Sequence, residues 1–186
     1  MNDGLRRVTV YCASSTAVPP AYHLQAAELG RGIARAGWEL VFGGGSTGLM
    51  GTLGRAALEE GGRVRSVILD RFVAMGIGLE GVTALEVLED LRPRKARLEE
   101  LGDVFAALPG GFGTLEELSE ILVRKQIGLH AKPLVILNSD GFYDPLFAFF
   151  RRAHAEGFIG PEVDGLYRAA GTSAEALAII EEEMPR

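Results

Sequence analysis

The chain has 186 residues, 47% hydrophobic and 24% charged, with a formal net charge of −6. That size and balance suit one α/β domain with a sizeable core and argue against disorder, and the acidic balance gives no support to nucleic-acid binding. No apolar run reaches the roughly 18 residues of a membrane span and the first residues lack a leader pattern, so a cytoplasmic location is expected; the lone cysteine, Cys12, excludes an internal disulfide and a cysteine-cluster metal site.

In chain order, residues 6–13 (RRVTVYCA) read as a first strand. A polar loop with Ser14-Ser15-Thr16 and Pro19-Pro20 precedes a helix over 21–36, whose Leu24, Ala27, Ile33 and Ala34 recur at helical spacing and which Gly37 ends. Residues 38–42 are a second strand, and GGGSTGLMG at 43–51 leads directly into a helix that runs to Glu60. Residues 63–69 are a third strand. The segment 70–81 (DRFVAMGIGLEG) reads as an apolar, glycine-containing loop suited to a lid or a pocket wall. A short strand over 83–88 is followed by a helix that Asp90 caps and that carries Arg92, Arg94, Lys95 and Arg97. Residues 104–108 are a fifth strand, stopped by Pro109-Gly110-Gly111. Gly113 allows a second turn, and Thr114 is expected to cap a helix to about 128, with Leu115, Leu118, Ile121 and Leu122 on its apolar face. A sixth strand (132–138), a helix (144–156) and a last short strand (166–170) complete the pattern. Thr172 and Glu175 form a capping box for the final helix.

The regular alternation predicts a single doubly wound α/β domain over 1–186, a parallel sheet with helices on both faces. Ligands in such sheets sit at the carboxyl ends of the strands, near a reversal of strand order. Both glycine loops fall at strand carboxyl ends, so one shared crevice is expected. A strand that ends in glycines and opens a helix aims backbone N–H groups at one spot, which favours an anion such as phosphate. Gly43, Gly45 and Gly48 also fit G-x-G-x-x-G, and Asp70 near the end of the next strand completes an NAD-type pattern. Against NAD, the unit stands on the second strand and PGGFGT competes for the phosphate. A purely structural reading, with the glycines allowing tight turns and close packing, stays open.

Taken together, GGGSTGLMG at 43–51, Arg94-Lys95, PGGFGTLEE at 109–117, QIGLHAKP at 126–133 and NSDGFYDPL at 138–146 resemble the LOG family, the cytokinin riboside 5′-monophosphate phosphoribohydrolases. The resemblance covers most of the chain in order. It implies a Rossmann-like fold, a homodimer or larger homo-oligomer, and no metal or cofactor. The implied reaction is hydrolysis of the N-glycosidic bond of a nucleoside 5′-monophosphate, AMP or N6-substituted AMP, to free base and ribose 5-phosphate. By motif position it implies Arg94 and Glu117 as the catalytic pair. The implied substrate contacts are Lys95, the first loop with Gly44, Gly45, Ser46 and Gly48, and the second with Gly110, Gly111, Gly113, Thr114 and Glu116. The chain departs from the family at Cys12-Ala13-Ser14-Ser15, where relatives read CGSS, and in 70–81, which lacks the usual lysine and histidine. Molybdenum-cofactor carriers resemble the family in fold, so a non-catalytic nucleotide- or cofactor-carrying role is the alternative. Relatives have also carried the label lysine decarboxylase, but no lysine here stands in a recognisable pyridoxal-phosphate context.

The residues themselves leave roles to be decided. Breaking a ribosyl C–N bond builds positive charge on the sugar and negative charge on the base, and stabilising charge that exists only in the transition state speeds the step. Glu117 stands at the third helical position if Thr114 is the cap, and the positive helix end then favours its ionised form. That suits a charge stabiliser or base. The spacing Thr114-x-x-Glu117 is equally a capping box, in which the glutamate only bonds back to the threonine backbone. Arg94 stays charged at any working pH, which suits electrostatic work on phosphate, ribose or leaving base. Arg94 and Lys95 point about 100° apart on a helix, so both need not face the crevice, and a solvated face also fits them. Ser14 and Ser15 fit donors to phosphate or base, or a turn. Glu116 fits ribose hydroxyls or a solvated acid. His23, His130 and His154 show no metal-ligand spacing. Phe147, Phe149 and Phe150 cannot all face one side of their helix, so one exposed aromatic is expected.

Overall fold

The computed structural model describes residues 4–185. Among the described residues seven strands form one sheet: β1 (Arg7–Tyr11), β2 (Glu39–Phe42), β3 (Arg63–Leu69), β4 (Ala84–Leu88), β5 (Val104–Ala107), β6 (Leu134–Leu137) and β7 (Arg168–Ala170). Every neighbouring pair is parallel, in the order β4-β3-β2-β1-β5-β6-β7. The order reverses at β1, between β2 and β5, which is where this class of fold opens a crevice. The connecting helices are α1 (Pro20–Arg35), α2 (Gly48–Glu59), α3 (Asp70–Ala74), α4 (Leu91–Leu101), α5 (Phe112–Gln126), α6 (Asp144–Ala155) and, after the last strand, α7 (Ser173–Glu183).

The fold is the doubly wound, Rossmann-like sheet that the alternation predicts. β2, β5 and β6 are buried along their whole length, as strands covered on both faces must be, so they read as unbroken apolar runs. Leu29 and Ile33 of α1, Leu49 and Leu53 of α2 and Ile180 of α7 pack on one face against Val8, Val10 and Leu40. Leu98 of α4, Leu118 and Ile121 of α5 and Phe147 of α6 pack on the other against Val41, Phe105 and Ile136. Gly30 lets α1 lie against α2, since a Cβ there would stand 2.3 Å from the Leu53 carbonyl oxygen. At the amino ends of the strands Glu39 is fully buried and accepts from Arg7 Nε at 2.6 Å and Arg65 Nε at 3.3 Å. That network joins strand starts, on the opposite edge of the sheet from the crevice.

Several local expectations hold and several shift. Asp90 caps α4, its side chain accepting from Arg92 N at 3.3 Å. Phe147 is buried and Phe149 exposed. Thr172 Oγ1 accepts from Glu175 N at 3.2 Å, but the returning bond goes from Gly171 N to Glu175 Oε2, one residue before the cap. β1 ends at Tyr11 rather than Ala13, because Cys12 and Ala13 leave the ladder to meet the two loops. β7 starts only at Arg168, since residues 161–165 form a 3₁₀ turn. The segment 70–81 is more ordered than a loop. It opens with α3, and Gly78 then bridges Gly45, with Ser46 N donating to Ile77 O at 2.8 Å and Leu79 N to Gly44 O at 2.8 Å.

Candidate active site

Ala13, one residue pair beyond β1, ties the two glycine loops together. Its N–H donates to Pro109 O at 3.3 Å, and its carbonyl accepts from Met50 N at 3.2 Å. Thr47 Oγ1 donates to Ser14 O at 2.9 Å. Gly48, at φ +59°, passes so close to the chain at residues 14–15 that a Cβ would stand 2.5 Å from the Ser14 carbonyl carbon. The amino ends of α2 and α5 are thereby brought to the same side of the reversal at β1. A cavity of about 350 Å³ opens there, walled by residues 10–15, Gly43 and Arg94 and by the first two turns of α5.

The start of α5 differs from its expected form, and the difference decides what Glu117 can do. The cap is Gly111, in extended conformation, and the helix begins at Phe112, with Leu115 N donating to Gly111 O at 2.9 Å. Thr114 is therefore inside the helix and buried. It packs against Gly110, where a Cβ would stand 2.1 Å from Thr114 Oγ1. Glu117 falls in the second turn, too far on for the helix end to hold it ionised. The capping-box reading of Thr114-x-x-Glu117 is overturned with it. Glu117 Oε1 instead accepts from Arg94 Nη1 at 3.2 Å. Burial pushes the Glu117 carboxyl above the usual glutamate range, and the Arg94 charge and hydrogen bond pull it part of the way back. The expectation of a carboxyl biased towards its ionised form is corrected accordingly, because desolvation outweighs both the helix end and the cation.

Arg94 is 6% exposed, an unusual place for a guanidinium. Three of its groups are held by the chain: Nε donates to Val67 O of β3 at 2.9 Å, Nη2 to Gly43 O at 3.2 Å, and Nη1 to Glu117. The side chain thus reaches from β3, past the end of β2, to α5. Gly43 has to be glycine for this, since a Cβ would stand 2.3 Å from Arg94 Nη2. Lys95 turns away, as its helical offset allows, and its ammonium pairs with Glu116 and, at 2.7 Å, with Glu120.

The predicted site residues divide into two groups. Ser14, Ser15, Arg94, Gly111, Gly113, Thr114, Glu116 and Glu117 line one cavity. Ser15 Oγ also accepts from Ala17 N at 3.3 Å, so its turn role is real. Gly44, Gly45, Ser46, Gly48, Gly110 and Lys95 lie outside the lining. The carbonyl of Gly44 and the amide of Ser46 are bonded to 77–79, Ser46 Oγ donates to Ile77 O at 3.0 Å, and Gly110 makes room for Thr114. Asp70 is exposed and accepts from its neighbour Arg71 N at 2.5 Å, at the start of α3, so the NAD-type pattern loses its ribose acid. The lining also includes Tyr11, Cys12, Met50, Phe72, Leu91 and Phe112, none of which sequence reasoning singled out as site residues. Phe72 belongs to the segment 70–81 read as a lid or pocket wall, and the signal of the others was proximity in sequence to a loop or cap.

A family model described as "Possible lysine decarboxylase" matches residues 50–180. The chain's lysines, Lys95, Lys125 and Lys132, all lie outside the cavity lining. The chain is 39% identical over 180 residues to the cytokinin riboside 5′-monophosphate phosphoribohydrolase LOG of Oryza sativa subsp. japonica, a match covering 97% of this chain and 74% of that one. It is 46% identical over 157 residues to the cytokinin riboside 5′-monophosphate phosphoribohydrolase of Rhodococcoides fascians, covering 84% and 79%. Among solved structures, the molybdenum cofactor carrier protein of Chlamydomonas reinhardtii superposes with a TM-score of 0.75 at 25% identity, covering 96% of this chain and 97% of that one. The molybdenum cofactor binding protein of Rippkaea orientalis superposes with a TM-score of 0.74 at 21% identity, covering 96% of each chain, a likeness of fold alone. With a family model matched over most of its length and relatives this similar over nearly all of it, the chain belongs to the LOG family.

Proposed function

We propose that the chain is a cytoplasmic phosphoribohydrolase that cleaves the N-glycosidic bond of nucleoside 5′-monophosphates, AMP or N6-substituted AMP, with Arg94 and Glu117 as its catalytic pair. The observation that carries this is the buried Arg94–Glu117 contact, set in one cavity between two helix-opening glycine loops. The phosphate is assigned to the amino end of α5, at residues 111–114, beside Ser14 and Ser15. Glu116 is placed for the ribose hydroxyls. The C1′–N bond breaks with its electron pair leaving on the base, and Glu117 stabilises the positive ribosyl centre. Water then attacks C1′ and gives its proton to the Glu117 carboxylate, which returns it to solvent as the departed base takes one proton up, so that free base and ribose 5-phosphate are released. Three of the five N–H donors of Arg94 are committed to the chain. The others are left for the negative charge of the phosphate or the departing base. The relatives' names support this reaction. The test is incubation with AMP and with N6-isopentenyl-AMP, followed by chromatography for free base. Release of adenine or N6-isopentenyladenine is expected. Binding of the nucleotides without release of base would favour the carrier reading instead.

The same reading includes a homo-oligomer, and α5 supplies its support. Phe112, Leu115, Val123 and Ile127 are all exposed at spacings of three, eight and four residues, which is one helical face. Ser119 lies midway along the helix, four residues from Leu115 and four from Val123. A second α5 running antiparallel across a two-fold axis at Ser119 sets each Leu115 against the other copy's Val123. Of the flanking charges, Glu116 and Glu120 pair with Lys95, and Arg124 pairs with Glu99, within the chain. The native chain is expected to sediment as a dimer or larger, and Val123→Asp with Ile127→Asp as a monomer. A native monomer would sink this assignment.

A further inference from the structure

Phe112, the first residue of α5, is 93% exposed, the most exposed large apolar side chain among the described residues. It stands between Gly111 and Gly113, and a Cβ at either glycine would meet no described atom within 4 Å. The turn at 111–113, to which the phosphate is assigned, therefore has water on its outer side. Farther along the same helix lies a second cavity, of about 170 Å³, between α5, α6 and the 3₁₀ turn at 161–165. Ser119, Val123 and Gln126 of α5 border it, with Phe150, Ile159 and Leu166 opposite. Gln126 Nε2 donates to Glu162 Oε1 at 2.7 Å, so its amide is already bonded. An apolar cavity of about 150 Å³ in a protein takes up benzene, so this one is the size of a phenyl ring.

We infer that this second cavity seats Phe112 from another copy of the chain, so that each protomer anchors the phosphate turn of the other. The inference rests on the α5 dimer and on the hydrolase reading. Phe112 and Gln126 stand seven residues either side of Ser119. The two-fold axis that sets Leu115 against the other copy's Val123 thus also sets Phe112 against the other copy's Gln126. At about 100° per residue, Phe112, Ser119, Val123 and Gln126 fall within roughly 60° of one another around the helix. The face that carries Phe112 is therefore the face that borders the cavity. Seating the ring there takes its apolar surface and that of the cavity walls out of water together. Phe112 also lines the catalytic cavity of its own chain, so fixing the ring fixes where the amino end of α5 meets the phosphate.

The experiment measures the dimer dissociation constant by sedimentation over a dilution series and, on the same samples, KM for N6-isopentenyl-AMP. Phe112→Ala changes a side chain so exposed that the fold is kept. Ile159→Trp, at a half-buried position, fills the cavity and leaves Phe112 intact. Each variant is expected to raise the dissociation constant by about 10²-fold, since each dimer loses two aromatic anchors worth about tenfold or more apiece. Each is also expected to raise KM at concentrations where the native chain is dimeric. Mixed together, the two variants form a heterodimer in which one Phe112 meets one open cavity. The mixture is expected to associate about tenfold more tightly than either variant alone and to release base faster than the two measured separately. Phe112→Ala dimers as tight as the native ones, a mixture no tighter than its components, or a dissociated Phe112→Ala chain with native KM overturns this inference and leaves the hydrolase reading standing. A native chain that is monomeric throughout overturns the α5 dimer with it. Association is read without turnover, so a failure to release base overturns the hydrolase reading while the sedimentation result still decides the seat of Phe112.

Discussion

Glu117→Gln is expected to lower the release of free base by about 10³-fold while leaving the fold as stable as the native chain. The size follows from removing a group proposed to serve both as base and as the counter-charge to the ribosyl centre, roles worth about 10²-fold each that do not multiply fully when one carboxylate carries both. Glutamine keeps the shape and an oxygen for Arg94 Nη1 but carries no charge. Burial holds the Glu117 carboxyl above the ordinary glutamate value, with Arg94 opposing. Hydrolysis by the native chain should therefore fall as pH drops through a value above about 4.3, the usual glutamate figure, and the residual rate of the variant should lose that limb. A folded-state pKa above the unfolded one also means that Glu117 favours the fold fully only below the unfolded value. That contribution is lost as pH rises through the folded value. At neutral pH the substitution should thus shift unfolding by no more than about 1 kcal/mol. Urea unfolding and a pH–rate profile on the same protein check both halves. A variant that keeps its rate and loses stability would make Glu117 a structural residue.

What the sequence made legible was the backbone logic. Strand and helix alternation, the two glycine loops and their place at strand ends all follow from periodicity and from where glycine is tolerated, and the sheet order β4-β3-β2-β1-β5-β6-β7 brings those loops together. The ambiguity at Thr114-x-x-Glu117 was real, because a capping box and a displaced catalytic acid have the same spacing. It is resolved by the extended Gly111, which starts the helix two residues before Thr114. The grip on Arg94 was not legible, since two of its three partners are the backbone carbonyls of Val67 and Gly43, which carry no residue identity. Lys95 was legible as a cation but not as one already paired with Glu116 and Glu120. Leu91 gave no signal, because an apolar residue lining a cavity looks in sequence like one in the core, and Phe72 was legible only as part of the segment 70–81 suited to a pocket wall. They show as site residues only once β3 and α4 place them beside Arg94.

Arg94→Ala is expected to reduce both activity and stability, and Arg94→Lys to separate the two. Alanine leaves the Glu117 carboxylate without its cation and the carbonyls of Val67 and Gly43 without their donor, all in surroundings where water replaces them poorly. Breaking a buried charge pair from one side costs about 3–5 kcal/mol, a large share of the stability of a domain of this size. It also removes the interaction that draws the Glu117 carboxyl down, so any remaining acid limb should move to higher pH. Lysine keeps the charge but has one nitrogen where arginine has three, and it cannot reach β3, Gly43 and Glu117 at once. Arg94→Lys should therefore retain most of the stability yet lose about 10²-fold in kcat. Its KM for the nucleotide should rise as well, because Gly43 loses the bond that ties the first glycine loop to the Arg94–Glu117 pair. Thermal unfolding beside steady-state rates distinguishes the cases: equal losses of rate in the two variants, with only Arg94→Ala unstable, assign Arg94 to the chemistry. A fully active Arg94→Lys would leave it as a cation that only needs to be present.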